Sequence, residues 1–100
     1  MGKGEITTHD YVLGVDRYVT ETYVGDVSFI TVTIDGKEYR GGTVINGEFK
    51  FYTFDKILFA TSEVIGNAYN ASNELLDTRR VMLKSKVAHS MVKVNSNSMF

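Results

Sequence analysis

The chain of 100 residues contains no cysteine. This absence excludes disulfides, thiolate metal ligands and cysteine nucleophiles, and it fits a reducing compartment. Residues 1–6 lack the apolar segment of a secretory signal, and no run approaches the roughly 20 apolar residues that span a bilayer. We therefore expect a cytoplasmic protein that does not associate with a membrane.

Catalytic and metal-binding patterns are also scarce. His9 and His89 are the only histidines, and no spacing of His, Asp and Glu matches a metal-binding motif. His9 could form an acid–base pair with Asp10, but an exposed histidine beside a helix-capping aspartate is the commoner arrangement. The chain has no G-x-S-x-G motif, phosphate-binding glycine loop or close carboxylate pair. We predict no enzymatic activity, no cofactor and no metal; an enzyme would need a pocket around one of the histidines.

The composition indicates one folded domain. Hydrophobic residues make up 43% of the sequence and charged residues 23%, as in ordinary globular proteins. Residues 1–100 are therefore predicted to share one core, with flexible ends at 1–8 and 95–100. Residues 1–55 carry five basic and nine acidic side chains, whereas residues 56–100 carry six and three. This polarity could orient a partner or let the molecule complement itself.

The middle of the chain has the clearest pattern. Residues 28–34 alternate Thr with Ile and Val, which is typical of a strand with one buried face. Ile30, Val32 and Ile34 are predicted to point into the core.

Two turn signals follow this strand. Asp-Gly at 35–36 and Asn-Gly at 46–47 tolerate the positive φ angles that a two-residue hairpin turn requires. They would connect the first strand to a second at 37–45 and to a third at 48–53. The glycine pair at 41–42, inside the second strand, marks a bulge or a place where another group packs close to the backbone.

From residue 54 the apolar residues recur at spacings of three and four, which predicts a helix. Thr53 can cap this helix, and the polar segment at 67–73 favours a break. A second helix would follow over 73–94, although one long bent helix fits the same pattern. The apolar stripes consist of Phe54, Ile57, Leu58, Thr61, Ile65 and Ala68, and then of Leu76, Leu83, Val87, Met91 and Val94.

Residues 10–24 fit two structures. Their Tyr and Val side chains share a helical face, with Asp10 as the cap and Gly25 as the end. The Val, Thr and Tyr content suits a strand equally well. We prefer the helix.

These elements predict an α+β domain in the order α-β-β-β-α-α. A three-stranded antiparallel β-meander over residues 28–53 would have helices packed on one of its faces. Its edge strand could pair with a partner or with a second copy, and the C-terminal helix offers another route to a homo-oligomer.

One segment resembles a known family. Residues 29–39 are similar to the first hairpin of double-stranded-RNA-binding domains, which also have the order helix, three-stranded meander, helix. The resemblance implies RNA binding through a lysine cluster that opens the second helix. Residues 53–56, Thr-Phe-Asp-Lys, stand at that position, so these phosphate contacts are missing and the family is not assigned.

Nucleic-acid binding remains an alternative hypothesis on other grounds. If residues 73–94 are helical, basic side chains flank the apolar stripe. Such a flank is commonly only solvated, but phosphates or an acidic partner would also select it. The basic residues concerned are Arg79, Arg80, Lys84, Lys86 and Lys93.

Our first hypothesis is a small non-catalytic interaction protein. It would act as a stoichiometric regulator or inhibitor of a larger protein, of the kind encoded by phages and other mobile elements. Tyrosine and arginine are favoured interface anchors. The predicted partner-binding residues are Tyr18, Tyr23, Tyr39 and Arg40.

Overall fold

The computed structural model describes residues 3–85, which form ten β-strands and no helix. Eight strands build two four-stranded antiparallel sheets, and the other two form a parallel pair. The strands are β1 (Gly4–Thr8), β2 (Tyr11–Leu13), β3 (Tyr18–Gly25), β4 (Phe29–Ile34), β5 (Lys37–Tyr39), β6 (Thr43–Ile45), β7 (Glu48–Tyr52), β8 (Val64–Tyr69), β9 (Leu75–Arg80) and β10 (Leu83–Ser85).

The two sheets form a sandwich that is closed along one side. The first sheet has the strand order β1-β3-β7-β6, and the second has the order β5-β4-β8-β9. At the closed side the Ile6 N–H donates to Asp77 Oδ2 (2.9 Å), and Thr8 Oγ1 donates to the Arg80 carbonyl (2.8 Å). The parallel pair of β2 and β10 is separate from the two four-stranded sheets. The chain between β5 and β6 connects the sheets as well.

The core lies between the sheets and follows the two-residue period of the strands. The prediction that Ile30, Val32 and Ile34 point inward is confirmed, because each is at most 5% exposed. Side chains from the inner faces of both sheets fill the same space, as in other sandwiches. The remaining buried apolar residues are Ile6, Tyr11, Val19, Phe49, Ile57, Val64, Ala68 and Val81.

The predicted α+β class and its order α-β-β-β-α-α are wrong, because no part of residues 3–85 is helical. Residues 10–24, for which we preferred a helix, form β2 and most of β3. Val19 and Glu21 alternate inward along β3, and β-branched and aromatic residues pack well on such a surface. Residues 4–8, assigned to a flexible end, form β1.

The helix predicted from residue 54 is also absent. Residues 53–63 are an irregular loop, and β8 follows with every second residue buried. The apolar residues of the loop and those of the strand together happen to recur at spacings of three and four, as they would in a helix. Residues 75–80 and 83–85 are β9 and β10 in place of the second helix. The rest of that predicted helix, from residue 86 onward, lies outside the described residues.

Both predicted turns are confirmed, but the meander is wrong. Asp35 and Gly36 have φ values of 50° and 89°, and Asn46 and Gly47 have φ values of 53° and 81°. These angles fit two-residue type I′ turns. The first turn joins β4 to β5 in the second sheet, whereas the second joins β6 to β7 in the first sheet. The two hairpins therefore do not share a sheet.

The predicted second strand is divided at the glycine pair. Gly41 and Gly42 have φ values of 127° and 77°, which residues with a side chain rarely adopt. A Cβ atom on Gly42 would lie 2.7 Å from the Lys50 carbonyl oxygen and 2.9 Å from the Phe49 ring. The chain turns here from the second sheet into the first, and it passes too close to β7 for any side chain at residue 42.

Gly14 provides a matched control for this crossing, because it has a similar φ of 80° with open space around the Cβ position. We expect Gly14→Ala to lower the free energy of unfolding by about 1 to 2 kcal/mol from backbone strain alone. Gly42→Ala should cost roughly 1 to 3 kcal/mol more, because the methyl group also collides with β7. Urea unfolding of both variants measures the difference. Equal losses would contradict the close approach at residue 42.

A carboxyl group is buried between the sheets. Glu21 on β3 is 0% exposed, and neither of its carboxyl oxygens has a hydrogen-bond partner within the described structure. A Cβ atom on Gly66 of β8 would lie 2.6 Å from Glu21 Oε1, so the missing side chain at residue 66 makes room for this carboxyl. Burial raises the pKa of Glu21 from 4.5 to about 8, because the apolar surroundings disfavour the charged form.

The raised pKa predicts a pH-dependent stability. The carboxyl is neutral in both the folded and unfolded states below pH 4.5, so its contribution is then fully present. As the pH rises toward the folded-state pKa of about 8, the unfolded state loses its proton first. The free energy of unfolding should fall, by at most roughly 1.4 kcal/mol per pH unit.

Urea unfolding between these pH limits measures this slope. Glu21→Gln should remove it, whereas Glu48→Gln, at an exposed position on β7, should leave it in place. A slope that persists in Glu21→Gln would show that another group is responsible.

Candidate functional site

The outward surface of the second sheet carries a connected set of polar and aromatic side chains. On β4 the outward positions are those between the core residues, and the register places Phe29 opposite Tyr69 and Thr31 opposite Asn67. Glu38 on β5 lies on the same side, because it pairs with Thr33. We call this surface the binding face; it consists of Phe29, Thr31, Glu38, Arg40, Asn67, Tyr69 and Thr78.

A hydrogen-bond network covers the middle of the binding face. Thr31 points outward but is only 1% exposed, because its neighbours close over it. Its hydroxyl donates to Glu38 Oε2, and it accepts a bond of 3.2 Å from the Asn67 amide. The Tyr69 hydroxyl donates to the same Glu38 oxygen (2.9 Å), and Thr78 Oγ1 donates to Asn67 Oδ1 (3.0 Å). These hydrogen bonds therefore hold the side chains in one arrangement.

The network fixes the charge of Glu38. The hydrogen bonds from Thr31 and then Tyr69 lower the pKa of the Glu38 carboxyl, because they stabilise the carboxylate. The same bond to Glu38 raises the pKa of the Tyr69 hydroxyl, which stays a donor. The network therefore favours the charged form of the Glu38 carboxyl.

A stack of three side chains lies beside the network. The rings of Phe29 and Tyr69 are parallel, with centroids 4.9 Å apart and an interplanar angle of 8°. The Arg40 guanidinium lies 4.3 Å from the Phe29 ring centroid, in a cation–π contact. A stacked guanidinium keeps its N–H edges available for a carboxylate. Arg40 and Glu38 therefore offer one fixed donor group and one fixed acceptor group on the same surface.

The predicted partner-binding residues do not form one surface. Arg40 belongs to the binding face, whereas Tyr18 lies on the outer side of the first sheet and is 41% exposed. Tyr23 and Tyr39 are partly buried against the core. The Tyr23 hydroxyl accepts a bond from the Gly47 N–H (3.3 Å), so this side chain supports a turn.

The predicted basic residues do not form a continuous face within residues 3–85. Arg79 lies 3.3 Å from Asp77, and Arg80 lies 3.1 Å from Glu63. Lys84 lies 3.9 Å from Asp10. Each of the three is therefore partly neutralised by a carboxylate, and Arg79 and Arg80 are successive strand residues that point to opposite sides. Lys86 and Lys93 lie outside the described residues.

The histidine that the structure describes is exposed and does not complete a catalytic arrangement. His9 Nδ1 lies 3.0 Å from Thr20 Oγ1. No group of His, Asp and Glu within residues 3–85 is arranged to hold a metal ion. His89 lies beyond the described part of the chain.

Sequence reasoning missed most of the binding face. Phe29, Glu38, Asn67 and Tyr69 come from three strands, and the pairing of β4 with β8 joins residues that are 30 to 40 positions apart in the chain. The alternation of β4 assigned Thr31 to the outward side. The sequence signal for the partner strand β8 is weak, because Gly66 and Asn67 indicate a break between elements.

We expect the Glu38 pKa to report on this network. Thr31→Val removes the larger of the two stabilising hydrogen bonds, so it should raise the Glu38 pKa more than Tyr69→Phe does. Thr33→Val is the control, because its hydroxyl bonds Asn67 and is not among the causes of the shift. Carboxyl-detected NMR titration measures the three variants. An unchanged Glu38 pKa in Thr31→Val would contradict the network.

The chain matches a known protein family. A family model described as a bacterial Ig domain matches residues 4–85, which includes all ten strands. No curated protein and no solved structure matches the chain. Within residues 3–85 there is also no helix with the length and apolar character needed to cross a membrane.

Proposed function

Because the chain belongs to the family of bacterial Ig domains, we propose that it is a protein-binding module whose contact surface is the binding face. Domains of this family are typically non-catalytic, which supports binding as the activity. The finer role of a stoichiometric regulator or inhibitor of a larger protein stays a prediction. The cytoplasmic location also stays a prediction. Domains of this family are often extracellular or surface-exposed.

The observation that carries this proposal is the burial of Thr31 beneath a closed network on an outward surface. A surface whose side chains are already fixed loses little conformational entropy when a partner binds. Phe29, Tyr69 and Arg40 are also residue types that commonly dominate the binding energy at protein interfaces. Rigidity and composition together favour a protein partner for this surface.

The charges of the binding face define what a partner should offer. Arg40 is suited to a carboxylate, and the Glu38 carboxylate to a lysine or arginine. These two groups lie near the aromatic stack, so a partner residue that reaches them also covers Phe29. We expect a partner with acidic and basic residues next to an apolar contact.

Affinity capture with matched variants tests the proposal. Arg40→Ala removes the exposed end of the stack, whereas Arg79→Ala removes an arginine that is 51% exposed at the sheet edge. We expect the wild type and Arg79→Ala to retain one stoichiometric partner, and Arg40→Ala to retain at least about tenfold less of it, as for an interface hot spot. Thermal unfolding checks that both variants are folded.

Two results would contradict the proposal. One is equal capture of the partner by Arg40→Ala and the wild type. The other is the absence of any stoichiometric partner in repeated captures from a native extract.

A further inference from the structure

One end of the sandwich concentrates the exposed apolar side chains. Ten large apolar side chains are exposed among residues 3–85, and six of them belong to the chain segments next to the start of β3 and the end of β7. The most exposed of these six are Leu58 at 60% and Phe59 at 65%, both in the loop at 53–63. The other four are Val15, Tyr18, Tyr52 and Phe54.

The loop at 53–63 exposes Leu58 and Phe59 to solvent. Ile57 is only 2% exposed and fixes the loop to the core. Its N–H and that of Lys56 donate to the Thr53 carbonyl at 2.9 and 2.8 Å, which forms a tight turn. At the other end, Glu63 is bound to Asp35 by two hydrogen bonds of 2.9 Å. The apolar pair is thus displayed by a loop that is anchored on both sides.

Aromatic and cationic side chains lie at the same end of the sandwich. The rings of Tyr18 and Tyr52 meet edge to face, with centroids 5.4 Å apart. Lys50 lies 4.4 Å from the Tyr18 ring, and Arg17 lies 4.8 Å from the Phe54 ring. The exposed pair of Leu58 and Phe59, which we call the tip, therefore shares its end of the sandwich with tyrosines and positive charges.

The acidic residues near this end are largely engaged by other groups. Asp55 pairs with Lys56 (3.1 Å), and Asp16 accepts a hydrogen bond from the Val12 N–H (2.7 Å). Within residues 3–85, Arg17 and Lys50 have no carboxylate at ion-pair distance. These two cations are available to an anionic group outside the molecule.

We propose that this end docks on the surface of an anionic lipid bilayer, with Leu58 and Phe59 entering the boundary between headgroups and acyl chains. Apolar side chains that enter this boundary, tyrosines at headgroup level and cations toward anionic headgroups are the elements of interfacial membrane binding. Leucine is under-represented among the residues that dominate protein interfaces, whereas leucine and phenylalanine are typical of side chains that enter the lipid boundary. This inference goes beyond the binding face and departs from the sequence expectation that the protein avoids membranes.

The lack of tryptophan in the chain allows a direct measurement. Phe59→Trp places a single fluorescent reporter at the tip, and Val24→Trp places one at an equally exposed position, 65% in each case, at the far end of β3. The probes are vesicles of phosphatidylcholine alone and vesicles that also contain about 30% phosphatidylserine. With the anionic vesicles, emission from Trp at residue 59 should shift to shorter wavelength and be quenched by brominated acyl chains. Emission from Trp at residue 24 should not change.

Vesicle sedimentation of the otherwise unaltered chain gives an independent readout. The double variant Leu58→Ser, Phe59→Ser should bind the anionic vesicles at least about tenfold more weakly than the wild type. The double variant Val24→Ser, Ile45→Ser removes apolar groups of similar exposure, 65% and 59%, and should bind like the wild type. Arg17→Gln with Lys50→Gln should reduce both the affinity and its dependence on salt.

Several results would overturn the proposal. The wild type could fail to bind the anionic vesicles at low salt, or bind the neutral vesicles equally well. The two serine double variants could lose the same affinity. Concentration-dependent association in sedimentation that requires Phe59 and occurs without vesicles would assign the tip to a second copy of the chain.

Discussion

The passage of the chain from one sheet to the other between Tyr39 and Thr43 is the constraint on which the rest of the structure depends. Gly41 and Gly42 adopt positive φ angles there, and residue 42 passes so close to Phe49 and Lys50 that a Cβ atom has no space. Without this passage, the second hairpin would continue beside the first in one sheet. With it, each hairpin belongs to a different layer, and the core forms between them.

Both candidate surfaces follow from this passage. Because the first hairpin lies in the second sheet, β4 pairs with β8, and Phe29 meets Tyr69 beside Arg40. Because the second hairpin lies in the first sheet, β7 pairs with β3, and Tyr52 meets Tyr18 at the end of the sandwich that carries the exposed loop. The sandwich also needs a glycine at residue 66, where the Glu21 carboxyl occupies the space between the sheets. Glycines thus shape the molecule where the backbone or a polar group comes close.

Local patterns predicted the local structure. The turns at 35–36 and 46–47 and the inward side of β4 each depend on a few adjacent residues, and the structure confirms them. The order of the strands in each sheet depends on contacts between segments that are distant in the chain. A pattern of a few adjacent residues does not indicate such contacts. The helices failed for a related reason: apolar residues of a loop and of β8 fell by chance at helical spacings. Arg40 was singled out for its residue type, but the network around it required the pairing of β4 with β8.

Backbone NMR of the intact chain tests the passage between the sheets most directly. The structure predicts nuclear Overhauser contacts between Tyr18 and Tyr52 and between Thr20 and Lys50, because β3 and β7 are neighbours. A continuous meander would instead place Tyr52 beside Gly41 and extend the contacts of the second hairpin toward residue 39. Observation of that extended pattern, without contacts between β3 and β7, would contradict the account.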